Sequence, residues 1–283
     1  MKATRVLALA VPSLLGGAAA LGYARYCGAT RDAEAAWRSI RCRTEPPSGV
    51  FDPEMVEGLP DVARRYFRRA IAPGTPLATS VELEMEGIFL LGDVGEHRSC
   101  RMTARQILRP PFEFVWMARL ASRAMRMSGS DALVRGEAWT RFFLAGLVPV
   151  ANARSSPDLV RSAAFRAAVE GIWAPASLLP ERGVHWEQIG DDRARLIFVQ
   201  TAPQIAIELA LNGDGTVREA LGERWSNANP DRCFRLQPFG GTVLGSATFG
   251  GFTIPAELHV GNHYGTADYL PFFQARIVGA LFR

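Results

Sequence analysis

The chain is short of the residues from which enzyme sites are most often built. Of its 283 residues four are histidine and four are cysteine, and among 32 basic residues Lys2 is the one lysine. The cysteines, Cys27, Cys42, Cys100 and Cys233, include no C-x-x-C pair, which excludes a zinc ribbon and a thioredoxin-like dithiol. Cys100 and Cys233 stay open either to pairing in an oxidising compartment or to burial as separate thiols. No G-x-S-x-G elbow and no H-E-x-x-H helix occurs. Gly213-Asp214-Gly215 lacks the third glycine of a dinucleotide loop, and Gly240-Gly241 lacks the lysine of a P-loop. Both read as turns, as does Ser128-Gly129-Ser130-Asp131. These absences leave no catalytic residue, cofactor or metal to assign.

Charge of one sign is also missing at the start. No acidic residue precedes Asp32, whereas basic residues do, Lys2, Arg5 and Arg25 among them. Without those three, the formal charge of +4 falls to +1, so the body is near neutral. A nucleic-acid partner, which needs a concentrated basic face, is thereby excluded. Lys2 and Arg5 lead into an uncharged run of 19 residues, Val6 to Ala24, close to the ~20 that cross a bilayer as a helix. Pro12, Gly16, Gly17 and Gly22 interrupt it. Two readings stay open: a retained membrane anchor, or a cleaved signal peptide with Val6 to Leu15 as its apolar region and a cleavage site within Ala18-Ala19-Ala20. Residues 1–26 are assigned to this leader, 27–58 to a helical linker region and 59–283 to a single β-rich domain. The expected location is the inner membrane with the domain outside the cytoplasm, or the periplasm if the leader is removed.

Beyond the leader, Asp32 to Arg43 reads as a short helix with Trp37 and Ile40 on one side. A second helix is predicted from Pro60 to Ile71. Its Arg64, Arg65, Arg68 and Arg69 share a side that suits either water or anionic lipid headgroups. From Thr79 the period becomes two: Val81, Leu83 and Met85 alternate with Glu82, Glu84 and Glu86. A hairpin turning on Asp93-Val94 predicts Glu86 opposite Arg101, Glu84 opposite Thr103 and Glu82 opposite Arg105. Further strands are expected at Phe112 to Ala121, Arg123 to Ser128 and Ala132 to Phe142. A helix capped by Ser156-Pro157 then runs to Glu170, and Trp173 to Pro180 bends between two halves. More hairpins follow, one turning on Asn212-Gly213-Asp214-Gly215. With no alternation of strand and helix, the fold class is α+β, mainly antiparallel β. The expected architecture is a curved sheet or half-barrel of about twelve strands with helices packed on one face.

Candidate functional residues fall into two groups. Trp116, Trp139, Phe142, Trp186 and Trp225 lie on or beside strands, where they fill a core or line an apolar ligand cleft. Glu170, Arg224, His185 and His259 are the polar candidates. Arg166, one turn before Glu170, is that carboxylate's simplest partner. Glu257-x-His259-x-x-x-His263 resembles a metal spacing, but the period there is that of a strand, so no metal is assigned.

Several segments together resemble a bacterial family of uncharacterised proteins known only as a domain of unknown function. They are Leu59-Pro60-Asp61-Val62-Ala63-Arg64-Arg65-Tyr66, Gly87-Ile88-Phe89, Phe165-Arg166 through Glu170, Trp173-Ala174-Pro175 to Pro180, Trp186, Gly222-Glu223-Arg224 and Phe252-Thr253-Ile254-Pro255. The resemblance implies no established activity, and no catalytic residue carries over. At the level of fold the pattern also resembles the half-barrel of periplasmic lipoprotein carriers. The favoured expectation is non-enzymatic binding of a lipid-like or apolar ligand, an acyl chain for example, at the outer face of the inner membrane. The alternatives are a membrane-tethered hydrolase or isomerase and an envelope scaffold without a ligand.

Overall fold

The computed structural model describes residues 2–93 and 95–283, with side chains from residue 16 onward except at Asp93. Thirteen strands form one antiparallel sheet: β1 (Val81–Asp93), β2 (Glu96–Arg109), β3 (Glu113–Ala121), β4 (Arg126–Val134), β5 (Glu137–Leu144), β6 (Val148–Ala153), β7 (Val184–Gln188), β8 (Arg193–Phe198), β9 (Ile205–Leu211), β10 (Val217–Ser226), β11 (Arg235–Phe249), β12 (Phe252–Asn262) and β13 (Leu270–Phe282). Their order across the sheet is β6-β5-β4-β3-β2-β1-β13-β12-β11-β10-β9-β8-β7. Two meanders therefore join at their centre, where β1 pairs with β13. The sheet is curved and unclosed, with β6 and β7 as its free edges. The expected half-barrel is present, with one strand more than anticipated. The addition is β6, and the β4–β5 boundaries also move.

This topology forces the segment between β6 and β7 to cross the whole sheet. The crossing is made by α3 (Pro157–Val169) and three short 3-10 turns ending at Arg182. Ser156 caps α3 by accepting from the Leu159 amide at 3.2 Å, and Pro157 occupies the first turn. Ala163, Ala167 and Ala168 are buried on its inner side. Trp173 Nε1 donates to the Pro255 carbonyl at 3.0 Å and Trp186 Nε1 to the Leu178 carbonyl at 2.9 Å, fastening the crossing to both flanks.

The two faces of the sheet are covered differently. On β3, Phe114, Trp116 and Ala118 join the main core beneath α3, while Val115 and Met117 belong to a separate cluster on the opposite face. The helix α2 (Asp61–Ala70) packs on the main core through Val62, Ala63, Tyr66, Phe67 and Ala70. The opposite face is covered by α1 (Lys2–Arg43), whose Ala33, Trp37 and Ile40 bury against Ile107, Val115, Ala132 and Val134. Helices thus lie on both faces. Ion pairs rim the α1 contact: Asp32–Arg141, Glu34–Arg105, Arg41–Glu82 and Arg43–Glu113.

The β1–β2 register departs from expectation by two residues. Glu86 sits opposite Thr103, Glu84 opposite Arg105 and Glu82 opposite Ile107. A shift of two keeps every side chain on its expected face. Asp93 pairs with Glu96, and Gly95 between them has φ 88°; Val94, part of the expected turn, lies outside the described residues. Two of the β1 acids find partners outside the hairpin: Glu82 with Arg41 and Arg283, Glu86 with Arg276 of β13. Charges satisfied by neighbours beyond the hairpin could not set its register.

Two expected turns are strand interior instead. Ser128 to Asp131 lies within β4, and Gly240-Gly241 within β11. A Cβ at Gly129 would meet Phe142 of the adjoining strand, and one at Gly241 the backbone of His259 and Val260, so these glycines permit close strand approach. The β4–β5 turn falls on Arg135 and Gly136, at φ 52° and 77°, the pair of positive angles that a two-residue hairpin requires.

The helix α1 is continuous through the predicted boundary at residue 26. Of the apolar run Val6 to Ala24, the side chains up to residue 15 lie outside those described. Among the described residues no helix is long and apolar enough to cross a membrane. Gly22 abuts the Leu147 carbonyl at the β5–β6 turn, and the Tyr26 ring packs edge-on against Phe143 at 5.6 Å. Cys100 and Cys233 are both unpaired, the first buried and the second exposed, so the possible disulfide is not formed. The four α2 arginines engage protein groups: Arg64 and Arg65 bind Asp61, Arg68 binds Glu57, and Arg69 approaches Asp214 at 3.6 Å.

Two consequences are measurable. Trp37→Ala, which empties the centre of the α1 contact, should cost about 3–5 kcal/mol in urea unfolding. Burial pushes the Glu82 carboxyl up, but Arg41 and Arg283 outweigh it and hold it below its ordinary value of 4.5. Its folded pKa is depressed, so its contribution is present above the unfolded pKa and fades as pH falls through the folded one. Glu82→Gln should therefore lower stability at pH 7, and its difference from the wild type should shrink progressively as the pH falls below about 4.5, as read from thermal midpoints along a pH series.

Candidate ligand-binding site

Inward-facing positions are apolar along most of the sheet, and α3 bridges the curve rather than filling it. The space left is a cavity of about 550 Å3, within the ~300–1000 Å3 of small-molecule sites. Its walls come from strands of both meanders. Phe89, Trp116, Leu120 and Phe142 line one side, and Phe239, Leu258, Val260, Phe272 and Phe273 the other. The aromatic rings interlock: Phe89 lies 5.5 Å from Phe272, and Trp116 lies 5.9 Å from Phe142 and 6.2 Å from Phe273. Val169, Ile172 and Trp173 of the crossing segment complete the enclosure. Met125, Met127, Val150 and Ala151, at the tips of β3–β4 and along the edge strand β6, form its rim, and Val150 is half exposed.

One polar cluster interrupts this surface, where α3 meets the sheet. Arg166 donates from Nη1 to Asp131 Oδ2 at 2.5 Å, from Nε to Glu170 Oε1 at 2.7 Å and from Nη2 to Gln106 Oε1 at 3.2 Å. Gln106 Nε2 donates to the second oxygen of Glu170 at 2.6 Å, and Thr140 Oγ1 to the second oxygen of Asp131 at 2.8 Å. All four carboxylate oxygens therefore have a donor. Burial works against the Arg166 charge, yet Glu170 and Asp131 more than offset it and raise its pKa. The guanidinium also sits 4.5 Å from the Phe114 ring centroid.

Arg224 of β10 lies on the same cavity in a different state. Its Nε donates to Ser162 Oγ at 3.1 Å and its guanidinium stacks 4.9 Å from the Phe239 centroid. Among the described residues it makes no other side-chain hydrogen bond and no ion pair. Burial, reinforced by the Arg166 charge, lowers its pKa to about 10, so it stays cationic at neutral pH. The Trp116 indole N–H, on the facing wall, is buried without an acceptor.

The candidates named from sequence separate into those the fold assembles and those it disperses. Trp116, Phe142, Glu170 and Arg224 all line the cavity. Trp139 faces the other side of the sheet, beside α1. Trp186 is core packing, its ring 5.4 Å from Tyr66 and 5.2 Å from Phe67. Trp225 lies in a separate open groove along α3, beneath Arg161 and bonded to Asp158. His185 is exposed on the edge strand β7, 3.9 Å from Glu187. His259 is on β12, and its neighbours Leu258 and Val260, not His259, line the cavity. Asp131 was missed because it read as a turn. Gln106 carried a usable signal: one polar side chain on the apolar face of Cys100, Met102, Ala104 and Leu108. Among the described residues no group of His, Cys, Asp or Glu could hold a metal ion.

The sequence profile of a family of unknown function, DUF6544, matches residues 49–275. The chain belongs to that family. The matched span runs from the segment before α2 to β13, so it takes in every strand that lines the cavity. No curated protein matches the sequence. Among solved structures, the family member is similar to a LolA superfamily protein from Nitrosomonas europaea, with a TM-score of 0.41 and 11% identity, covering 78% of this chain and 92% of that one. It is similar to a domain described as an outer membrane lipoprotein-sorting protein from Vibrio parahaemolyticus, with a TM-score of 0.41 and 10% identity over 79% and 91%. A third is a DUF1329 family protein from Desulfovibrio piger, with a TM-score of 0.39 and 10% identity over 78% and 90%.

The polar cluster predicts a specific asymmetry. Arg166→Met strands two carboxylates in a largely apolar site and should cost about 3–5 kcal/mol. The triple variant Arg166→Met, Asp131→Asn, Glu170→Gln removes the charges together and should recover much of that loss. Urea denaturation of the two variants beside the wild type checks the ranking.

Proposed function

We propose that this protein binds a single lipid-like or apolar ligand in the cavity between α3 and the sheet. The observation that supports this most is the cavity wall. Side chains from both meanders leave a space of small-molecule size lined almost throughout by aliphatic and aromatic groups, whereas a well-packed interior leaves few voids larger than a water. Methionines at the rim, Met125 and Met127, offer flexible side chains that adjust to an entering chain.

The position of the rim supports a site of action at a membrane surface. Gly22 and Tyr26 of α1 lie against the β5–β6 turn, next to the strand that carries Val150 and Ala151. The basic, apolar leader thus adjoins the cavity's rim, and an embedded leader would hold the rim near the lipid. On this reading the domain works at the outer face of the inner membrane. A hydrolytic role draws no comparable support, because Glu170 lines the cavity and neither His185 nor His259 does.

Native mass spectrometry of the full chain, released from detergent, tests the reading. The expected result is a retained adduct of lipid mass, displaced by cis-parinaric acid with a rise in its fluorescence. Ala151→Trp, on the edge strand where added bulk disturbs the fold least, should abolish both signals while leaving the far-UV spectrum intact. Absence of any adduct together with no parinaric acid fluorescence would refute the proposal.

A further inference from the structure

We infer that the ligand is an amphipath with one anionic head, seated on Arg224, and that its apolar tail occupies the aromatic part of the cavity. This rests on the ligand-binding reading above and narrows it to a chemical class. The contrast between two arginines carries the inference. Both line the cavity, yet Arg166 spends its guanidinium on Asp131, Glu170 and Gln106. Arg224 has Ser162 alone. A guanidinium offers five N–H donors, and a charge held in apolar surroundings without acceptors is costly unless something completes it.

The acids nearby do not complete it. Each oxygen of Asp131 and Glu170 already accepts from Arg166, Gln106 or Thr140. Those two carboxylates and two guanidiniums sum to zero charge, so the cluster does not repel an incoming anion as a whole. Arg224 is fixed rather than adaptable, held by Ser162 on α3 at one nitrogen and by the Phe239 ring at its face. A fixed planar fork with its terminal nitrogens uncommitted matches a carboxylate or phosphate monoester in two-point contact. Beyond these groups the lining turns to Phe89, Phe272 and Phe273, which suits a hydrocarbon tail and excludes a wholly polar anion.

The test compares dodecanoate, dodecyl phosphate and dodecanol as displacers of a neutral fluorescent probe from the full chain at pH 7.5. The wild type should bind at least one of the two anions about tenfold or more tightly than the alcohol, the span of one charge-assisted hydrogen bond. Which anion binds better tells a carboxylate head from a phosphate head. Arg224→Gln should erase the preference while dodecanol affinity stays the same, which also shows that the cavity is intact. Arg224→Lys should keep part of it. Equal affinity for anions and alcohol in the wild type overturns the inference and leaves the apolar-ligand reading standing, as does an undiminished preference in Arg224→Gln. Failure of all three to displace the probe overturns both.

Discussion

The buried guanidinium of Arg166 is the constraint on which the rest of this architecture depends. A segment crossing from β6 to β7 has no strand ladder to hold it, and the buried Phe165, Ala163, Ala167 and Ala168 of α3 give it contacts that are apolar and non-directional. Arg166 supplies directional ones by bonding at once to β2 through Gln106, to β4 through Asp131 and to the end of its own helix through Glu170. An ion cluster of this kind gives little net stability compared with an apolar substitute, but it cannot lose one member cheaply. It therefore acts more as a positional lock than as a source of folding energy. With α3 held at that height above the sheet, a space remains beneath it.

That space is possible because the sheet stays open. Thirteen strands in one curved sheet leave two edges, and the chain's return across the inner face substitutes for closure. The two faces then take different duties. The outer face packs conventionally against α1, with Trp37 and Ile40 filling the contact and a rim of ion pairs around it. The inner face is shared between the filled core under α2 and the unfilled region under α3. Aromatic side chains serve both parts: Trp186 closes against Tyr66 and Phe67, while Trp116 and Phe142 stand at the cavity edge. Ring size is the same in both; the distance of the facing helix decides whether a ring becomes core or wall.

The polar groups divide along the same line. Those that touch α3 and the sheet together, Asp131, Arg166, Glu170 and Arg224, are enclosed and interact strongly. Polar candidates on strands without a facing helix, His185 above all, meet water and remain ordinary surface residues. Burial by a second layer gives the site its electrostatic character, and no single strand provides that layer.

Much of the scaffold could be read from the chain alone, since it rests on local physics. Period-two alternation from Val81 marked the strands, Ser156-Pro157 marked the start of α3, and Pro60 to Ile71 showed a helix with one apolar side. The absence of acids before Asp32 fixed where the excess positive charge lies. The pairing of Glu170 with Arg166 followed from helical spacing. Features that depend on contacts between distant segments were beyond its reach. The β1–β2 register could not be read from charge, because Glu82 and Glu86 pair with Arg41, Arg283 and Arg276, which lie far from them along the chain. Gly129 and Gly241 looked like turn residues because the strands they let approach cannot be seen from one strand's sequence. The turn at Arg135-Gly136 was hidden because arginine is not a residue that favours a positive φ. Most of all, sequence named aromatic and polar candidates without ranking them. Only the path of α3 across the sheet decided that Trp116, Phe142, Glu170 and Arg224 share one cavity while Trp139, Trp225 and His259 do not, because side-chain direction is local but enclosure is a property of two layers.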